Sequence, residues 1–289
     1  MRWSGHSRTP STSAPRQPEL GHGHRKREEP LRATRIGGPT ILVELDRWRI
    51  VIDPTFDPPG RRYPFALGTS SVKTRGPALD AADLGPIDLV LVSHDHHADN
   101  LDTAGRALLP TATHVLTTTS GARRLAAPNT RGLTAGESVA VDVPGKPRLA
   151  VTATHCRHGP PLSHAIVGDV IGFAIRRDGG TDFALWVTGD SVLYPALLRT
   201  AHTLDVDVAI VNAGGVGFPI TGPLKYTMTG ADAIRLITEL SPRVAIPAHY
   251  DGWSHFRDGE NGMRTAVRNA PATTRNLIRW LPDGQPVEL

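Results

Sequence analysis

From about residue 36 onward the chain alternates short apolar runs with loops rich in Gly, Pro, Asn and Asp. Runs of roughly four to eight residues, rich in Val, Ile, Leu and Thr and bounded in this way, predict strands. The spans are 40–45, 48–53, 87–93, 113–117, 138–143, 148–154, 171–176, 183–188, 206–212 and 243–247. Only Asp46 and Arg47 separate the first two, so these read as a hairpin. Helical spacing is clearest over 230–240, where Ala233, Ile234, Ile237 and Leu240 share a face. The spans 101–109, 193–201 and 263–269 are further helix candidates, and 54–86, dense in Pro and Gly, predicts a long surface excursion. Strands mixed with helices and no internal repeat place the fold in the α/β class.

Residues 1–32 break this pattern. Ser, Pro, Gly, Arg and His dominate them without any apolar period, which predicts a disordered basic leader ahead of one folded domain over 33–289. Residues 1–36 carry eight Lys or Arg against three Glu, so a chain of net charge +4 is close to neutral beyond them. Trp3 is the single aromatic among these basic residues, and specific nucleic-acid binding is not expected. No run approaches the ~20 apolar residues that span a bilayer, and the N-terminus lacks the apolar core of a secretory signal. One cysteine, Cys156, excludes an internal disulfide framework. Together these features predict a soluble, cytoplasmic protein and leave its oligomeric state open.

The chemistry gathers at strand ends. The apolar run 87–92 leads into Ser93-His94-Asp95-His96-His97-Ala98-Asp99-Asn100-Leu101-Asp102. The run 148–154 is followed by His155, Cys156, Arg157 and His158, the run 183–188 by Gly189 and Asp190, and the run 243–247 by His249. Loops leaving rigid strands can converge such imidazoles and carboxylates on one point, a donor set that suits Zn²⁺, Fe²⁺ or Mn²⁺. Plainer readings exist: Asp190 as a helix cap, Cys156 as a small core residue. His114, His164, His202 and His255 have no supporting pattern and read as surface or satisfied core histidines. There is no Gly-x-Ser-x-Gly elbow and no phosphate-binding loop.

In order and approximate spacing, the loop from His94 to Asp99, then His158, Asp190 and His249, resembles the ligand series of the metallo-β-lactamase-fold hydrolases. Ile52-Asp53-Pro54-Thr55, Tyr226-Thr227-Met228-Thr229-Gly230-Ala231-Asp232-Ala233 and Pro247-Ala248-His249-Tyr250 are similar to the branch containing L-ascorbate 6-phosphate lactonase and N-acyl phosphatidylethanolamine phospholipase D. Over about residues 33–285 the resemblance implies a four-layered αβ/βα sandwich. It implies one or two ions, Zn²⁺ first, with Mn²⁺ or Fe²⁺ as alternatives. The implied ligands are His94, His96 or His97, Asp99, His158, Asp190 and His249. Asp99 and Asp190 are the implied catalytic carboxylates, the first orienting the attacking water and the second bridging or holding metal. Asp53 is implied to orient a ligand histidine from behind.

The first motif departs from the family spacing. Counting from His94, the family has a second His at 96, an Asp at 98 and a final His at 99, where this chain has Ala98 and Asp99. A one-residue expansion restores His97 and Asp99 but leaves Asn100 in place of the final His. Asn binds zinc far less well than imidazole, so the second metal position is expected to be weak. After the strand at 148–154, His158 fits the family segment better than His155.

The expected activity is metal-dependent hydrolysis, with metal-activated hydroxide cleaving an ester, lactone or phosphodiester bond of a small molecule. The alternative is a non-catalytic binding or scaffold protein with a structural metal; an open coordination position separates the two. Phe218, Tyr250, Trp253 and Phe256 are candidate walls of a substrate mouth.

Overall fold

The structure, a computed structural model, describes residues 30–65, 68–161, 163 and 167–289. Along the chain run β1 (Arg32–Gly37), β2 (Thr40–Leu45), β3 (Trp48–Ile52), β4 (Arg62–Pro64), β5 (Ser70–Val72), β6 (Leu89–Leu91), β7 (His114–Thr118) and β8 (Thr130–Leu133). They are followed by β9 (Ser138–Val141), β10 (Leu149–His155), β11 (Ile171–Arg177), β12 (Phe183–Val187), β13 (Val206–Asn212), β14 (Val244–Ala248) and β15 (Pro286–Glu288). One sheet has the order β15-β1-β2-β3-β6-β7-β8 and the other β14-β13-β12-β11-β10-β9, with β4 and β5 paired separately.

Side-chain alternation within each strand decides the layers. Ile41, Val43 and Leu45 of β2 and Leu89 and Leu91 of β6 face the second sheet, where they share one core with Phe173 and Ile175 of β11 and Val208 and Ile210 of β13. The residues between them face the other way. Leu42, Val51 and Val90 pack with Leu101 and Leu108 at the helix Thr103–Leu108. Trp186, Ala209 and Val211 pack beneath the helices Pro195–Thr203, Gly230–Leu240 and Gly259–Asn269. The result is the expected four-layered αβ/βα sandwich.

The predicted hairpin closes through Asp46 and Arg47 at φ 47° and 69°, the left-handed pair that matches strand twist. The helix Gly230–Leu240 has its predicted bounds because Thr229 and Asp232 form a reciprocal capping box. Of the other three predicted helices, one is shortened to Thr103–Leu108, one is shifted to Pro195–Thr203 and one begins earlier, at Gly259–Asn269; Thr119–Leu125 and Ala272–Leu277 are additional. Strands β1, β4, β5, β8 and β15 lie outside the predicted apolar runs: β8 and β15 are mostly exposed or half-buried, and in β1 the polar Arg35 is itself buried, paired with Asp251 and Asp283. Leu31 joins the central core and Arg32 opens β1. Residues 1–29, most of the expected leader, lie outside the described residues, as does His164. Among the described residues no helix is long and apolar enough to cross a membrane.

Strands β3, β6, β7 and β8 run parallel, as do β12, β13 and β14. Strand β10 shares the direction of β12, each being antiparallel to β11. The C-terminal ends that carry His, Asp and Asn therefore lie at one edge of the sandwich, where α/β folds place their sites.

Candidate metal centre

The loop after β6 is fixed from beneath. Asp53 accepts from Ser93 N at 2.6 Å and Ser93 Oγ at 2.9 Å. Asp95 receives Arg124 Nε at 2.9 Å, and Asp102 caps the following helix through Gly105 N at 2.8 Å while pairing with buried Lys73 at 2.8 Å. Asp53 and His249 both hold positive φ, 38° and 53°, a conformation that costs energy in a non-glycine residue and clusters at functional sites.

Two groups of donors converge at the strand ends. His94, His97 and His158 form the first, Asp99, Asp190 and His249 the second, each with its ligand atoms within 4.8 Å of one another. In the first, His94 Nε2 and His158 Nε2 each lie 3.3 Å from His97 Nδ1. Donors about 2.05 Å from a tetrahedral Zn²⁺ stand about 3.3 Å apart, so this spacing fits an ion. His158 Nδ1 donates to Tyr226 O at 2.8 Å, which leaves the Nε2 lone pair facing inward. In the second group Asp190 Oδ1 takes bonds from Asn212 Nδ2 at 2.8 Å and His249 Nδ1 at 2.9 Å. Asp99 Oδ1, Asp190 Oδ2 and His249 Nε2 are buried without a hydrogen-bond partner. Buried polar atoms are rarely left so, and all three belong to one donor set. The residues present fit a metal centre.

Each group joins the two sheets: His94, His97 and Asp99 follow β6, whereas His158, Asp190 and His249 follow β10, β12 and β14. His96 is outside both. It is exposed, and its Nδ1 lies 3.4 Å from the Arg124 guanidinium, a poor place for a cation. His155 is also exposed, and Cys156 donates to Thr188 O at 2.9 Å, with burial pushing its thiol pKa up. Asp53 touches no ligand histidine directly; Ser93 Oγ stands between, 3.1 Å from His94 Nδ1. Asn100 is turned back to Asp53, with Nδ2 at 3.2 Å from its Oδ2.

Sequence reasoning missed His255. It is buried, with Nε2 3.1 Å from Asp99 Oδ2. The available signal was the missing histidine at position 100, which invites a replacement from elsewhere. Of the aromatic residues expected at a mouth, Phe218 lines the pocket over the site. Tyr250 is instead core, edge-on to Trp280, Trp253 is buried, and Phe256 stacks edge-on against His249. Phe65 and Tyr226 take the other lining positions.

The electrostatics of the groups differ. Burial, helped by the neighbouring His158, lowers His97 to about 4, and burial also holds His94 well below its usual value. Burial opposes charge on His249, but Asp190 and Asp99 outweigh it and raise this imidazole to about 9. Burial would raise the carboxyls of Asp99 and Asp190 as well; for Asp99 the neighbouring His255 and His249 prevail, for Asp190 His249 and His94, and both acids are held far down. Burial raises Asp53 to about 7. Metal-free protein at pH 7.5 is thus expected to carry a proton on His249 that a metal would displace. Binding at the second group is expected to release about one proton, with affinity rising about tenfold per pH unit until pH nears 9. Calorimetry in buffers of different ionisation enthalpy measures this; no proton release at pH 7.5 contradicts it.

The sequence pattern of the beta-lactamase superfamily domain matches residues 48–250. The chain belongs to that family. A UPF0173 metal-dependent hydrolase of Pelotomaculum thermopropionicum is 26% identical over 269 residues, 90% of this chain and 100% of the relative. The isothiocyanate hydrolase from Delia radicum gut bacteria shares the fold with TM-score 0.73 at 17% identity, covering 89% of this chain and 99% of that one. Igni18, a metallo hydrolase from the archaeon Ignicoccus hospitalis, gives TM-score 0.66 at 22% identity, covering 90% and 99%. The fold is the metallo-β-lactamase fold, and with relatives of this kind the chain is a metal-dependent hydrolase of that superfamily.

Proposed function

We propose that this superfamily member hydrolyses uncharged carboxylic esters, lactones among them, in preference to phosphodiesters. The pocket over the donors carries the proposal: Phe65, Val167, Val216, Phe218 and Tyr226 form walls around His97, Asp99 and His158. The Phe65 ring lies 5.0 Å from that of His97 and 6.0 Å from that of Phe218. Among the described lining residues there is no Lys or Arg, the side chains that pair with the full negative charge of a phosphodiester. An apolar wall suits a neutral acyl group, in keeping with the lactonase side of the sequence resemblance. The pocket's access to the donors also favours an enzyme over a scaffold with a closed structural metal.

His94, His97 and His158 would hold one ion, and Asp99, Asp190 and His249 another. When bound, such ions lower the pKa of water and polarise the oxygen under attack. Asp99, at the pocket floor with one oxygen unpartnered, is placed to orient the attacking water and accept its proton. Asp190 is held by Asn212 and His249. The aromatic walls position the acyl group and exclude bulk water.

The test compares kcat/KM of the Zn²⁺- or Mn²⁺-loaded full chain on neutral p-nitrophenyl esters and simple lactones against bis(p-nitrophenyl) phosphate. The carbonyl substrates are expected to lead by about 100-fold or more, with chelator abolishing both. A phosphodiester that matches or exceeds them rejects the proposal.

A further inference from the structure

Position 100 leaves the second donor group one imidazole short, and the loop after β14 brings another to it. His255 lies six residues beyond His249 with its side chain 1% exposed, and its Nε2 is 3.1 Å from Asp99 Oδ2. His249 Nε2 stands 3.6 Å from the same oxygen. These separations bracket the roughly 3.3 Å expected between donors sharing a tetrahedral ion. The approach of His255 Nε2 to Asp99 lacks the alignment of a hydrogen bond, and Nε2 is buried without one, like Asp99 Oδ1, Asp190 Oδ2 and His249 Nε2 beside it. Two buried acceptors at this distance, an imidazole lone pair and a carboxylate oxygen, repel each other unless a cation or proton lies between them.

The ring is held from its other side. His255 Nδ1 is 2.5 Å from Ser71 Oγ, and in the tautomer that donates to the hydroxyl, Nε2 presents only its lone pair, as in most metal-bound histidines. Ser71 belongs to β5, within the 54–86 excursion. The same strand receives Ser254 N at Val72 O, 3.0 Å, and donates Val72 N to Ser254 Oγ, 2.9 Å. Beyond the histidine, Gly217 N donates to His255 O at 3.2 Å. Phe256 stands edge-on to both rings, 4.7 Å from His255 and 5.0 Å from His249. A surface histidine needs none of this, and a satisfied core histidine leaves no ring nitrogen unpartnered.

We infer that His255 supplies the imidazole that position 100 lacks, completing with Asp99, Asp190 and His249 a four-donor second site for a divalent cation such as Zn²⁺. Asn100 then belongs to the support of Asp53. In place of the weak second site that Asn100 alone implied, the chain has a second site of ordinary strength. The inference rests on the centre holding metal and is independent of which bond the enzyme cleaves.

The test is calorimetric titration of the metal-free full chain with Zn²⁺, with bound metal counted after dialysis. The unmodified chain is expected to keep two ions. His255→Ala is expected to keep one at unchanged affinity and bind the second about 100-fold more weakly, and imidazole added to His255→Gly should restore the second ion. A second ion bound by His255→Ala within about threefold of the unmodified chain overturns the inference. So does a single retained ion in the unmodified chain, whereas no bound ion at all removes the metal centre itself. Should the variants fail to fold, anomalous scattering from zinc-loaded crystals of the unmodified chain decides the matter. An ion bonded to His255 Nε2 supports the assignment; one bonded to Asp99, Asp190 and His249 with His255 left out refutes it.

Discussion

Asp190→Asn is expected to cut hydrolysis by at least about 10³-fold and to release the second ion on dialysis, while the metal-free protein stays folded. Asp190 is 1% exposed. Its Oδ1 is committed to Asn212 and His249, and its Oδ2 is the buried, unpartnered atom facing the centre. The amide keeps shape and volume but removes the charge, and whichever way it turns it presents an NH₂ where an acceptor is needed. The charge of Asp190 also helps hold the proton on His249, so proton release on metal binding should fall in the same variant. Activity within about tenfold of the unmodified enzyme under saturating Zn²⁺ would contradict this role.

The second large effect is a contrast between neighbours. His97→Ala should weaken the first ion by about 100-fold or more, and His96→Ala should change it by less than about threefold. His97 Nδ1 is shared at 3.3 Å by the Nε2 atoms of His94 and His158, so its loss removes the corner common to both contacts. The His96 ring lies outside the group beside Arg124. Competition with a chromophoric chelator gives both affinities; the reverse order would mean that the loop binds metal with His94 and His96 as its first pair.

Much of this centre was legible because the chemistry sits where periodicity is strongest. Continuous apolar runs mark the buried strands β6, β10, β12 and β14, and the residues that follow each run are carried to one edge by the parallel arrangement alone. Less legible were elements whose stability is borrowed. The helix Thr119–Leu125 reads as a polar loop, yet it forms because Thr118 accepts from Gly121 N and the crossover from β7 to β8 requires it. His255 belongs to the same class: its place depends on a loop laced to Ser71 and Val72, far away in sequence, and no local period records that pairing. The span 54–86 reads as a surface excursion, yet it holds the paired strands β4 and β5 and the buried Phe56, Tyr63 and Lys73, and it serves both as pocket wall through Phe65 and as the seat of His255 through Ser71.

Both donor groups draw one part from the loop after β6 and the other from the loops of the opposite sheet. Neither half of the sandwich therefore owns a complete site, and a fragment ending before residue 138 would carry His94, His97 and Asp99 with nothing to close on. An ion held by donors from both sheets would be captured only after the sheets dock across their shared apolar core, which would make it a late clasp and not a nucleus for folding. Once in place it would span the seam, and prying the sheets apart would then mean breaking coordinate bonds as well as separating oil from oil.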